Sequence, residues 1–215
     1  MPIDLTLESD SMLGDIEEVF AASPSDLTTV GGLWFAPYGS ALPEDIDEPF
    51  EELKLAGQTD SPWKNFGFVA DDGVQIKVDS TTRPIEVWGG DEIGALRDKF
   101  ALTYSCKLYQ VLSPAVNAAI WGTNAVSTQA PTSTAGNRMK LLITNKLPKK
   151  LSLVVDSVFE DKAIRQVIST AQLSDLGNIT LVHNAPMALE PSFKSFKGRD
   201  GVHVTQYSDD GRVTI

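Results

Sequence analysis

A single cysteine, Cys106, stands in 215 residues, so an internal disulfide framework is excluded and the fold must rest on packing. No stretch approaches the ~18 consecutive apolar residues that a membrane-spanning helix needs. Met1-Pro2-Ile3-Asp4 lacks the basic start and apolar run of a signal peptide, and the expectation is a soluble, intracellularly made protein with no membrane partner. Histidine is scarce, with only His183 and His203 as neutral-pH bases. Phosphate-binding loops, dinucleotide glycine patterns and Gly-x-Ser-x-Gly elbows are absent throughout. What is plentiful is apolar residues: 42% hydrophobic against 22% charged marks a chain that buries a real core.

Basic residues are missing from the front of the chain. Residues 1–60 carry 14 acidic side chains against Lys54 alone, so the net charge of −11 resides there and the remainder is close to neutral. Such a chain repels phosphate backbones and is poorly suited to gripping DNA by counterion release. The acidic segment reads either as a solvated arm or as an arm that docks on a more basic neighbouring copy. Within it, Met12, Leu13, Ile16, Val19 and Phe20 recur at helical spacing, predicting one short amphipathic helix over 11–22 that Ser23-Pro24 ends. The division that follows is an acidic arm over 1–30 and a β domain over 31–215.

From Leu33 onward the period is two. Leu33 to Tyr38 reads as a strand whose proline marks an edge or an end. Residues 39–61, rich in Pro, Asp and Glu, read as a long loop, the kind that serves binding or assembly or else is disordered. Asp71-Asp72-Gly73 between Asn65–Ala70 and Val74–Asp79 predicts a tight hairpin turn. Ile85 to Trp88 forms a further strand closed by Gly89-Gly90. Phe100, Leu102, Tyr104, Cys106 and Leu108 share one face of the longest alternation, which makes Cys106 a core residue. Ser113-Pro114 opens a second helix that Gly122 ends. Residues 123–136 read as a flexible loop, and Leu147-Pro148 turns the basic run 146–150 into a turn. Strands are expected at 138–144, 151–159, 178–182, 187–196 and 202–208, with a second turn at Asp209 to Gly211. Residues 162–171 suit a helix by spacing but a strand by β-branched content, and the strand is preferred. About ten strands and one or two short helices define a mostly β chain, a β-sandwich or barrel.

Candidate chemistry is thin. His183 is expected near the end of a strand and His203 on the polar side of another, both structural or on the surface. The run Glu44-Asp45-Ile46-Asp47-Glu48 offers carboxylates without the glycine and distal glutamate of a calcium loop. Paired carboxylates for glycoside hydrolysis come together only in three dimensions, and no pair singles itself out. Phe193 to Arg199 interleaves aromatics with basic groups as single-strand binders do, yet two phenylalanines bracketing a strand that ends at Gly198 account for it equally. The four tryptophans fall at strand or helix ends, where core packing explains them. No catalytic, metal-binding or cofactor-binding residue is assigned, and no enzyme is expected.

One ordered series of segments has a familiar look. Trp63 to Val74, with Gly32 to Gly39 and Leu42-Pro43 before it, resembles the major tail tube protein of long, non-contractile-tailed bacteriophages of actinobacterial hosts. Glu86 to Gly89, the strand from Phe100 to Tyr109 leading into Ser113-Pro114, Trp121-Gly122, Ala188 to Pro191 and Tyr207 to Gly211 continue the likeness in order, over about residues 31–215. Gln110 departs from it where a glutamate is expected, and the acidic helix lengthens the N-terminus. The resemblance implies a tail tube fold with long assembly loops and a subunit that forms rings, usually of six. Such rings stack into a conduit for genome delivery. It implies partners too: further copies of the chain, a tape-measure protein in the lumen, other tail proteins, and phage DNA only in transit. Its place is the virion tail, after synthesis and assembly in the host cytoplasm. On the family pattern residues 165–171 are a strand. The alternatives are another β-rich virion or secretion-tube component, such as a tail terminator, and a carbohydrate-binding β-sandwich module.

Overall fold

The computed structural model describes residues 19–24 and 32–212. The strands are β1 (Ser23–Pro24), β2 (Leu33–Pro37), β3 (Lys64–Asn65), β4 (Val69–Glu86), β5 (Glu92–Leu108), β6 (Val126–Gln129), β7 (Arg138–Leu141), β8 (Leu151–Phe159), β9 (Lys162–Leu176), β10 (Pro191–Ser195) and β11 (Thr205–Asp209). Among the described residues one α-helix, α1 (Pro114–Trp121), lies between β5 and β6. Nine strands form one antiparallel sheet, seven of them in the order β3-β2-β8-β9-β10-β5-β4. β1 follows β2 along the free edge of β8, and β11 shares an edge of β9 with β10. β6 and β7 make a separate hairpin.

Only three residues separate β3, at one end of the sheet order, from β4 at the other. The sheet must therefore curl until its ends meet, giving a β-sandwich-like body with an inside and an outside. Leu33, Phe35, Phe66, Tyr104, Cys106, Leu108, Leu153, Ile168 and Phe193 fill the inside, and Val116 and Ile120 of α1 close it. Phe66 and Phe193 are almost wholly excluded from water, each contributing about 1.5–3 kcal/mol by the usual burial scale. β8 is covered on both faces: Leu151 and Leu153 point inward while Val154 joins a second cluster outside. α1 is capped as its sequence predicts. Ser113 Oγ accepts from the Val116 N–H, Pro114 sits in the first turn, and Gly122 leaves with a φ of 96°.

The two-residue alternation holds for β2, β8 and the buried half of β5, and the ambiguous 162–171 segment is the strand β9. Elsewhere tertiary structure overrides the local signals. Asp71-Asp72-Gly73 is not a turn; it lies within β4, where four residues oppose the single residue between Cys106 and Leu108, and Gly73 takes a φ of 66°. The positive φ that Asp-Gly supplies serves a bulge here. The chain reverses instead at Gly89-Gly90, so Ile85 and Glu86 end β4 and are not a strand of their own. Residues 123–136 are not simply a loop, because Val126–Gln129 pairs with β7. Residues 178–182 form no strand; they belong to a connection held by the Gly177 and Leu189 backbone. The amphipathic helix expected at 11–22 lies outside the described residues up to 18, and Val19–Ala22 are not helical.

Candidate assembly surface

β4 and β5 pair along almost their whole length, and at ~3.3 Å per residue β4 alone spans up to roughly 55–60 Å. A compact chain of this size has a radius of gyration of about 16–17 Å, so the ribbon must outrun the body. Its face changes along the way. Val74, Ile76 and Val78 stand opposite Cys106, Tyr104 and Leu102. Near the body this face is core, and Tyr104 and Cys106 are buried. Farther out the ribbon keeps exposed apolar side chains: Val78 is 57% exposed and Ile93 67% exposed, and Trp88 at the tip is completely so. The reverse face is charged, with Asp79 between Lys77 at 3.5 Å and Lys99 at 3.8 Å. Register shifts at Thr81/Thr82 and Ile85/Glu86 add twist near the tip. The outer edge of β4 pairs with no other strand among the described residues. A long, unprotected edge is a template for another chain.

The second element is the connection from β2 to β3, which is packed down as an outer layer. Phe50, Leu53 and Trp63 are buried against Ala36, Val154 and Val167, and Phe50 stacks on Trp34 at 4.2 Å. Arg165 pins it. Its Nε and Nη2 donate to the two carboxylate oxygens of Asp156 at 2.8 and 2.9 Å, and its Nη1 donates to the Asp45 and Glu48 carbonyls at 3.0 and 2.8 Å. The guanidinium also lies over the Phe50 ring at 4.9 Å. Burial pushes the Asp156 carboxyl above its ordinary range, while the Arg165 hydrogen bonds and charge pull it back. The carboxylates of Glu44 to Glu48 therefore do not form the useful feature of that run; two of its carbonyls do.

The third element is a groove of about 410 Å³ between the end of β2, the open side of α1 and the segment 148–151. Phe35, Pro37, Ala118, Ala119 and Pro148 line it, and Lys149 and Lys150 stand at it.

The residues weighed for chemistry are scattered. His183 sits exposed in a turn, not at the end of a strand. His203 precedes β11 and is half-buried; its Nδ1 lies 3.2 Å from Ser195 Oγ and its ring 5.1 Å from that of Phe100. Phe193 is core, and Phe196 lies beyond β10 beneath Lys150. Burial pushes the Cys106 thiol up to about 12, with the charge of Asp72 acting the same way, so it is a packed, inert side chain. Among the described residues no three His, Cys, Asp or Glu side chains gather where they could share a metal ion. None of the described helices is long and apolar enough to cross a membrane. Core packing accounts for Trp34, Trp63 and Trp121 but not for Trp88. The Asp156–Arg165 pair went unnoticed in the sequence, although each is a lone charge inside an apolar run, a pattern that points to pairing.

A β-sandwich-like body carrying an exposed apolar ribbon and an edge unpaired among the described residues, with no gathered chemical groups, has the build of a structural subunit. The chain belongs to the phage tail tube protein family, whose model matches residues 26–213. It is a structural component of the virion tail. Comparison with curated proteins finds no match.

Proposed function

We propose that the chain polymerises as stacked rings of six copies, forming the tube through which the phage genome is delivered to the host. The observation that carries this reading is the β4–β5 ribbon, whose outer apolar side chains are exposed and whose outer edge is unpaired among the described residues. Burial against a neighbour removes an aggregation hazard and closes the ring by one repeated heterologous contact. A net charge of −11 keeps the walls from gripping DNA in transit. The lumen holds the tape-measure protein before ejection, other tail proteins end the tube, and synthesis and assembly take place in the host cytoplasm. The role is that of a scaffold, without catalysis.

Residues 1–30 act as an acidic arm on the tube domain of 31–215, a division supported by the charge step and by a family match that starts at residue 26. Sedimentation and negative-stain microscopy of the purified protein test both points. Rings or hollow tubes are expected at high concentration, and a strictly monomeric particle refutes the polymer. A chain lacking residues 1–23 should fold but polymerise poorly; normal tubes from it would remove the arm from the design.

A further inference from the structure

Two features of the surface are unused by the fold and complementary to each other. At the ribbon tip, Trp88 is completely exposed between Glu86, which ends one strand, and Asp91 and Glu92, which lead into the other. Residues 84–96 contain no basic side chain, and none of these three acids makes an ion pair among the described residues. The groove beside α1 is the counterpart. It is walled by apolar surfaces of Phe35, Pro37, Ala118, Ala119 and Pro148, carries no acid, and has Lys149 and Lys150 at its mouth. Neither lysine makes an ion pair among the described residues, and the Lys150 ammonium lies over the Phe196 ring at 5.2 Å.

We propose that the Trp88 tip of one copy seats in the α1 groove of a second copy, with Glu86, Asp91 and Glu92 set against the second copy's Lys149 and Lys150. This rests on the self-assembly proposed above and names one of its contacts. The groove, about 410 Å³, falls within the roughly 300–1,000 Å³ in which proteins enclose ring-sized groups. Flat proline and alanine walls suit an indole, and tryptophan is the residue type most enriched where interface energy concentrates. The charges do a different job. At the rim they set the approach and reject wrong orientations more than they add affinity. Ribbon and groove are different patches, so the contact is heterologous and each copy both gives a tip and receives one.

The test uses the full chain with a photoreactive benzoyl-phenylalanine introduced at Trp88, an aromatic exchange at an exposed site that leaves folding alone. Irradiated assemblies should give links between copies, mapped by mass spectrometry to residues 35–38, 118–123 or 148–151. Assemblies whose links map elsewhere overturn the groove contact and leave the tube reading standing. A wild-type chain that stays monomeric at every concentration overturns both. Trp88→Ala should raise the concentration needed for assembly by roughly thirtyfold or more, the effect of a central tryptophan anchor. Trp88→Phe should recover part of it, with the melting temperature of each monomer unchanged. Lys149→Glu with Lys150→Glu should also weaken assembly, and adding Glu86→Lys, Asp91→Lys and Glu92→Lys should restore it. Assembly that is indifferent to Trp88→Ala, or charge reversals that do not compensate, refutes the contact.

Discussion

Replacing Arg165 by methionine separates two roles that the wild-type side chain combines. Arg165 and Asp156 are both more than nine-tenths buried, and the guanidinium makes a two-pronged pair with the carboxylate while holding the Asp45 and Glu48 carbonyls. Removing one partner of a buried pair typically costs about 3–5 kcal/mol, because the other charge stays desolvated. The two lost bonds to carbonyls add less, since the exposed loop can lift and let water replace them. The expected loss for Arg165→Met is thus about 3–5 kcal/mol, a large fraction of the ~5–15 kcal/mol that holds a domain together. Burial already raises the Asp156 pKa, so the orphaned carboxyl takes a proton readily and the loss shrinks as pH falls toward the carboxylate range. Adding Asp156→Leu replaces the pair by apolar groups and should recover most of the global stability. It cannot restore the donor to Asp45 and Glu48. Urea unfolding then reports recovery in the double variant while limited proteolysis still cuts within residues 39–61. A loss below about 1 kcal/mol in the single variant, or a double variant with a fully protected loop, refutes this account.

Gly32 packs against β8 so closely that an added Cβ would lie 2.0 Å from the Asp156 carbonyl oxygen. Gly32→Ala should therefore cost about 1–3 kcal/mol, read by calorimetry as a fall in melting temperature of roughly 2–12 °C for a chain this long. Cys106 supplies an alkaline prediction. Its thiol keeps its proton to about 12 when folded, whereas an unfolded cysteine releases it near ~8.5. Between those values the unfolded chain binds fewer protons, so this contribution is intact below ~8.5 and falls by up to about 1.4 kcal/mol per pH unit above it. Tyr104, held up to about 12 by burial, adds a loss of the same sign from ~10 upward. Urea titrations of the wild type and Cys106→Ala at pH 8 to 10 should show a flatter dependence in the variant; equal slopes contradict the burial of the thiol.

Much of the β architecture was already present in local pattern. Leu151, Leu153 and Val155 share one face of their strand, Phe100 to Leu108 puts Cys106 on the core face, and Ser113-Pro114 with Gly122 brackets α1, because each signal is a pattern of residues close together in the chain. The order of the pieces from Gly32 to Gly211 was enough to indicate the family. What local pattern did not determine was the use of each signal. Asp71-Asp72-Gly73 offers the same positive φ to a turn or to a bulge, and only the pairing of Val74 with Cys106 makes it a bulge. The same pairing carries β4 past the body to place Trp88 in solvent instead of in the core. Asp156 and Arg165, nine residues apart on neighbouring strands, meet because β8 and β9 pair in that register and the loop folds over them. Strand periodicity is a property of the chain. Which face is left uncovered, and therefore where the subunit can join another, depends on long-range pairing that periodicity does not encode.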